Sequence, residues 1–172
     1  MLTPDPSLLE GVVAPEVLEA LRVASAALKR AGVRHIVVGG LAVGAHGYPR
    51  ATRVVDFLVR DEAFERHSGG LVTLRPGVPF QVNHVAVDFL GAEASEGFLA
   101  AALDAEPGSI IDGPPLIYVK LKSPRHKDRT DVIELVKSGL DVDRCREYLA
   151  AHAPSFVADF EDAVARARAE DE

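Results

Sequence analysis

Asp56 stands in the middle of Thr52–Arg60, Thr-Arg-Val-Val-Asp-Phe-Leu-Val-Arg, a run whose Val, Phe and Leu content predicts a strand. Side chains two apart on a strand point the same way, so Val54, Asp56 and Leu58 share a face. An ionised carboxylate among such neighbours is costly to bury unless it finds a cation, a hydrogen-bond donor or an opening to solvent. The pattern recurs at Asp88, set between Val87 and Phe89 in His84–Leu90, where His84, Ala86, Asp88 and Leu90 alternate onto one face. Two predicted strands that each carry one acid in an apolar setting mark a candidate site.

Two further stretches bear on anions. His35–Val38 predicts a short apolar strand running into Gly39-Gly40, and Leu41–His46 a brief helix broken by Gly47-Tyr48-Pro49. A glycine pair between strand and helix lets the backbone approach a phosphate, and the helix start offers N–H groups to it; the same pair also suits a plain tight turn. The second stretch, Lys120-Leu-Lys122-Ser-Pro-Arg125-His-Lys127-Asp128-Arg129-Thr-Asp131, concentrates basic residues. Lys120 and Lys122 flank a Pro-broken loop and either aim at one anionic ligand or form a solvated helix end. Asp128 and Asp131, three apart, share a helix face and are expected to stabilise that helix start.

The elements that must position these residues follow from spacing. Val17, Leu18, Leu21, Ala24 and Leu28, with Pro15 ahead and Gly32 behind, predict an amphipathic helix. Asp61–His67 reads as a helical turn, Leu71–Leu74 and Phe80–Val82 as short strands, and Ala94–Leu103 as a helix. Pro107–Pro115 is a connector, followed by helices over Leu116–Lys122, Lys127–Lys137, Val142–Ala151 and Ser155–Ala169. Residues 1–13 are expected to be a surface arm, 14–112 an α/β core and 113–172 a helical portion packed on it as one unit.

With 172 residues and 48% apolar content, the chain can bury a proper core. A net charge of −7 argues against a broad grip on nucleic acid. No run approaches the roughly 20 apolar residues of a membrane span, and nothing at the N-terminus reads as a leader, so the expected location is cytoplasmic, with no membrane partner. One cysteine, Cys145, allows no internal disulfide and is expected in the core. The six histidines have no metal-ligand spacing.

The order of these motifs resembles the nucleotidyltransferase superfamily, the group of DNA polymerase beta, the minimal nucleotidyltransferases and the abortive-infection-type toxins. The resemblance runs from Val37-Val-Gly39-Gly40-Leu-Ala-Val-Gly44-Ala-His-Gly47 through Arg50-Ala-Thr52-Arg53-Val54-Val55-Asp56 to Val87-Asp88, then to Lys120-Leu-Lys122 and Arg125-His-Lys127-Asp128. It implies an α/β (α+β) fold with a mixed sheet flanked by helices and a helical C-terminal portion. It also implies that Asp56 and Asp88 serve as catalytic and metal-holding acids for Mg²⁺ or Mn²⁺. Gly39, Gly40, Lys120 and Lys122 would hold a nucleoside triphosphate. Where the family pattern places its first acid, this chain has Val54, which cannot ligate metal. The expectation is transfer of a nucleotide monophosphate to a protein, RNA or small hydroxylated acceptor, weakened or abolished by Val54. The alternative is a non-catalytic binding or regulatory module with a protein partner, as in a toxin–antitoxin-like pair. A third reading has Asp56 and Asp88 locked in structural ion pairs with Arg50, Arg53 or Lys120.

Overall fold

The fold is mixed α/β. The structure, a computed structural model, describes residues 3–171. In chain order the helices and strands are α1 (Pro15–Arg30), β1 (His35–Val38), α2 (Gly39–Ala45), β2 (Val54–Val59), β3 (Phe64–Arg66), β4 (Val72–Leu74), β5 (Gln81–Val82), β6 (Val85–Gly91), α3 (Gly97–Ala100), α4 (Gly113–Lys122), α5 (His126–Lys137), α6 (Val142–His152) and α7 (Val157–Glu170). The main sheet has the order β1-β2-β6-β5. β1 runs antiparallel to β2, β2 parallel to β6, and β5 antiparallel to β6.

Strand alternation splits the core into two layers. Val37, Val55, Phe57, Val59 and Val87 face α1, whose Val17, Ala20, Ala24 and Leu28 are buried against them. Ile36, Val38 and Leu58 face the opposite way and join α4, α5, α6 and α7 in a second cluster that includes Leu116, Leu135, Leu149 and Phe160. Asp56 and Asp88 belong to this second face, so the C-terminal helices form the wall opposite them. The outer edge of β1 is covered by residues 108–111: Val37 N–H donates to Ser109 O at 2.8 Å, and Ile111 N–H to Val37 O at 3.0 Å. A covered edge does not invite another strand.

Several elements depart from their expected bounds. Asp61–His67 is not one helical turn: a 3-10 turn at Asp61–Ala63 gives way to β3, which pairs antiparallel with β4. Ladder bonds from a partner eight residues downstream outweigh the local helical tendency. The helix expected over Ala94–Leu103 starts only at Gly97 and tightens to a 3-10 turn at Ala101–Asp104. The Pro107–Pro115 connector ends early, because α4 begins at Gly113 with Asp112 capping it through its carboxylate. Pro114 and Pro115 fit there since first-turn N–H groups have no helical partner. Residues 3–13 of the N-terminal arm lie on the surface, as expected, and are pinned there, whereas residues 1–2 lie outside the described residues. Asp5 N–H donates to Ala45 O at 2.8 Å, and Leu9 and Val13 enter the α1 layer. Cys145 is fully buried, as expected, and burial pushes its thiol up to about 12.

Candidate functional site

The parallel pairing of β2 with β6 sets Val54 opposite Ala86, Asp56 opposite Asp88 and Leu58 opposite Leu90. These three rungs lie on one face. The acid rung is thus held between two apolar rungs, with Asp56 half-buried and Asp88 exposed. Among the described residues, neither carboxylate accepts a hydrogen bond or forms an ion pair. Burial raises the Asp56 carboxyl above its ordinary range, the charge of Asp88 raises it further, and Lys120 and Arg125 pull only partly against this.

Gly39 meets this rung from β1, whose Val38 is registered against Asp56. Its φ is +68°, and a Cβ there would run into the Asp56 carboxylate. Only glycine satisfies both conditions. At Gly40 a Cβ would come within 2.8 Å of Thr52 Oγ1, so the glycine pair lets the 50–53 loop and Asp56 close onto the start of α2.

The helical wall carries its own charges, paired very differently. Lys120, 4% exposed, donates to Asp128 Oδ1 at 2.8 Å and to Asp131 Oδ2 at 2.9 Å. Arg50 grips Asp131 with two bonds, Nε to Oδ1 at 3.0 Å and Nη2 to Oδ2 at 2.9 Å. Asp128 also accepts from Ser123 Oγ and from Arg125 Nε. Burial alone would raise the Asp128 carboxyl, but hydrogen bonds from Lys120 and Ser123, the Lys120 charge and the Arg125 bond hold it below its ordinary value. Asp128 and Asp131 therefore do more than stabilise the helix start. They are buried acids that fasten α4 and the 50–53 loop to α5. The third sequence reading also changes: Arg50 and Lys120 pair with these α5 acids and leave Asp56 and Asp88 alone.

The space between sheet and wall has two halves that share Gly39, Asp56, Asp88, Lys120, Arg125 and Asp128. One half, about 290 Å³, adds Gly40, Arg50, Thr52, Arg53, Val54 and Lys127. The other, about 490 Å³, adds Val38, Leu90, Leu99, Val119, Lys122 and Pro124. The acids sit where a cationic compartment meets an apolar one.

Compared with protein-family models and with curated proteins, the sequence finds no match. Among solved structures it is similar to an antigenic nucleotidyltransferase-like protein from Paracoccidioides brasiliensis. That likeness has 13% identity and a TM-score of 0.44, and covers 87% of this chain and 94% of that one.

Every sequence-predicted site residue lines this cleft. Asp56, Asp88, Gly39 and Gly40 form its floor, with Val54 beside them. Lys120 and Lys122 are on the wall, yet their charges are engaged: Lys122 lies 2.8 Å from Glu96 and 3.8 Å from Glu93. The unpaired cations of the cleft, among the described residues, are Arg53 and Lys127. Sequence reasoning did not single these out. Their signal was available in part, since Arg53 precedes the acid strand and Lys127 lies in the basic cluster, but which cations stay unpaired depends on partners across the fold.

Proposed function

We propose that this chain is a nucleotidyltransferase-type protein that binds a nucleoside triphosphate with a divalent cation at Asp56 and Asp88, with turnover weakened or lost through Val54. The observation that carries this reading is the unpaired acid rung facing a helical wall whose buried acids, Asp128 and Asp131, are neutralised. A protein tolerates two uncompensated carboxylates side by side at a cost, and a bound cation removes that cost.

The donor set fits one cation better than two. Mg²⁺ binds through one or two carboxylates when phosphate oxygens complete its shell, and the rung offers two. No group of three or more His, Cys, Asp or Glu residues gathers for a metal among the described residues. Val54 puts a side chain without donors where a further bridging carboxylate would serve a pair of cations. When bound, the cation would supply charge neutralisation at the α-phosphate. The chain's own residues do the rest: Arg53 and Lys127 take the phosphate charge, Gly39 and Gly40 let it approach the backbone, and Lys120 fixes the α5 wall against the acids.

The test is the thermal midpoint with ATP, GTP, CTP or UTP, with and without Mg²⁺ or Mn²⁺. A ligand at 100 times its dissociation constant adds about 2.7 kcal/mol, a rise of several degrees for a domain of this size. The rise should require the cation and vanish in Asp56→Ala. A folded protein that no nucleotide shifts would overturn the reading. Val54 favours a second reading, a nucleotide-binding module without turnover that acts through a protein partner. Metal-dependent transfer by Val54→Asp, absent from the parent, would identify the parent as a disabled enzyme rather than such a module.

A further inference from the structure

Resting on the nucleotide reading above, we infer that the apolar half of the cleft binds the acceptor, and that this acceptor is a small neutral molecule carrying a hydroxyl on an aromatic or alicyclic body. The cleft is asymmetric about Asp56 and Asp88. The unpaired cations Arg53 and Lys127 lie in the smaller half, where pyrophosphate charge belongs. In displacement at phosphorus the attacking and leaving oxygens are roughly in line. With pyrophosphate departing into the cationic half, the attacking hydroxyl enters from the other side of the acid rung, which is the half lined by Val38, Leu90, Leu99, Val119 and Pro124.

The chemistry of that half selects the acceptor. Its volume of about 490 Å³ falls in the range of small-molecule pockets. The polar side chains it adds are already committed, Lys122 to Glu96 and Ser123 to Asp128. Little remains to read the edge of a nucleobase or to neutralise a phosphodiester chain, so hydrophobic area supplies the affinity. The acceptor oxygen bonds the α-phosphorus, the bond from that phosphorus to the bridging oxygen of the β-phosphate breaks, pyrophosphate leaves, and the acceptor proton passes to solvent.

The experiment is a titration of the whole chain with 2-naphthol, alone and with saturating ATP and Mg²⁺, each followed by calorimetry and by thermal midpoint. The expected result is 2-naphthol binding that ATP leaves undiminished, and that weakens at least tenfold in Val119→Glu while the midpoint rise with ATP persists. Val119→Trp, which fills the space without adding charge, should give the same loss and covers the case in which the charged variant does not fold. Displacement of 2-naphthol by ATP would give the apolar half to the nucleobase and overturn the assignment. So would displacement by a single-stranded RNA tetramer, or absence of 2-naphthol binding to a protein that ATP still shifts. Failure of ATP itself to shift the folded protein is a separate outcome of the same titration: it removes the nucleotide reading and the acceptor assignment with it.

Discussion

The sheet and α5 each carry a pair of aspartates, and the two pairs are treated very differently. Asp128 and Asp131 on α5 are almost completely buried and are gripped by Lys120, Arg50, Ser123 and Arg125. Asp56 and Asp88 on the sheet are more open and have no such partner. The difference separates two uses of the same side chain. Where burial is deepest the charges are matched and hold the fold together; where solvent still reaches, they are left unmatched. A buried pair whose partner is removed leaves an uncompensated charge, whereas an unmatched acid that is removed leaves nothing stranded.

That contrast can be broken most strongly at Asp131. Asp131→Ala strands Arg50 and leaves Lys120 with Asp128 alone, and is expected to cost about 3–5 kcal/mol, a fall on the order of 10 °C in thermal midpoint, while Asp88→Ala at the exposed acid should move it little. Equal losses from the two variants would mean that Asp88 is also a structural residue. Gly39→Ala comes next. Its positive φ and the collision with Asp56 should destabilise by about 1–3 kcal/mol, and the penalty should shrink when Asp56 is also alanine. A double-mutant cycle by urea unfolding measures that coupling, and strict additivity would show that Gly39 is needed for its φ alone.

Val54→Asp sharpens the comparison by adding a third unmatched acid beside the rung. In chelator it should lower stability by about 1–2 kcal/mol, and Mg²⁺ should restore more stability to this variant than to the parent. An identical Mg²⁺ response in both proteins would rule out position 54 as a cation ligand.

The smallest effects are those of pH, and their signs oppose. Asp128 is held below its ordinary value, so its contribution is full above the unfolded-state pKa and is lost as pH falls through the lower folded one. The deficit of Asp128→Asn should therefore shrink in acid. Asp56 is raised, so its cost is absent in acid, grows as pH rises past the ordinary carboxylate range, and is constant once the folded group has ionised. Asp56→Asn should match the parent at low pH and exceed it at neutral pH. Denaturation curves between pH 3 and 7 check both, and parallel profiles would remove the distinction between the two acid pairs.

The sheet-side acids were legible in the sequence because a charge inside an alternating apolar run conflicts with its own strand. The glycine pair was legible as a turn, although its steric reason, clearance for Asp56, needs the register of β1 on β2. The larger role of Asp128 and Asp131 was hidden because acids at a helix start satisfy a local rule. What decides their role is Lys120 on another helix and Arg50, which reaches Asp131 from 81 residues away, and no local pattern carries that. β3 was missed for a related reason: its hydrogen bonds come from β4, and its own residues show no alternation that separates strand from turn.

The clasp between Arg50 and Asp131 also orders events during synthesis. Chains are made from the N-terminus, and a domain folds as a unit. When residue 112 has been added, the residues of the acid rung and the glycine turn have been made, but those of α4 and α5 have not. At that stage Arg50 has no Asp131 to hold, and the wall opposite the acids is missing. The cleft is complete only after α5 has been made, so the residues of its floor precede those of its wall by dozens of positions in synthesis.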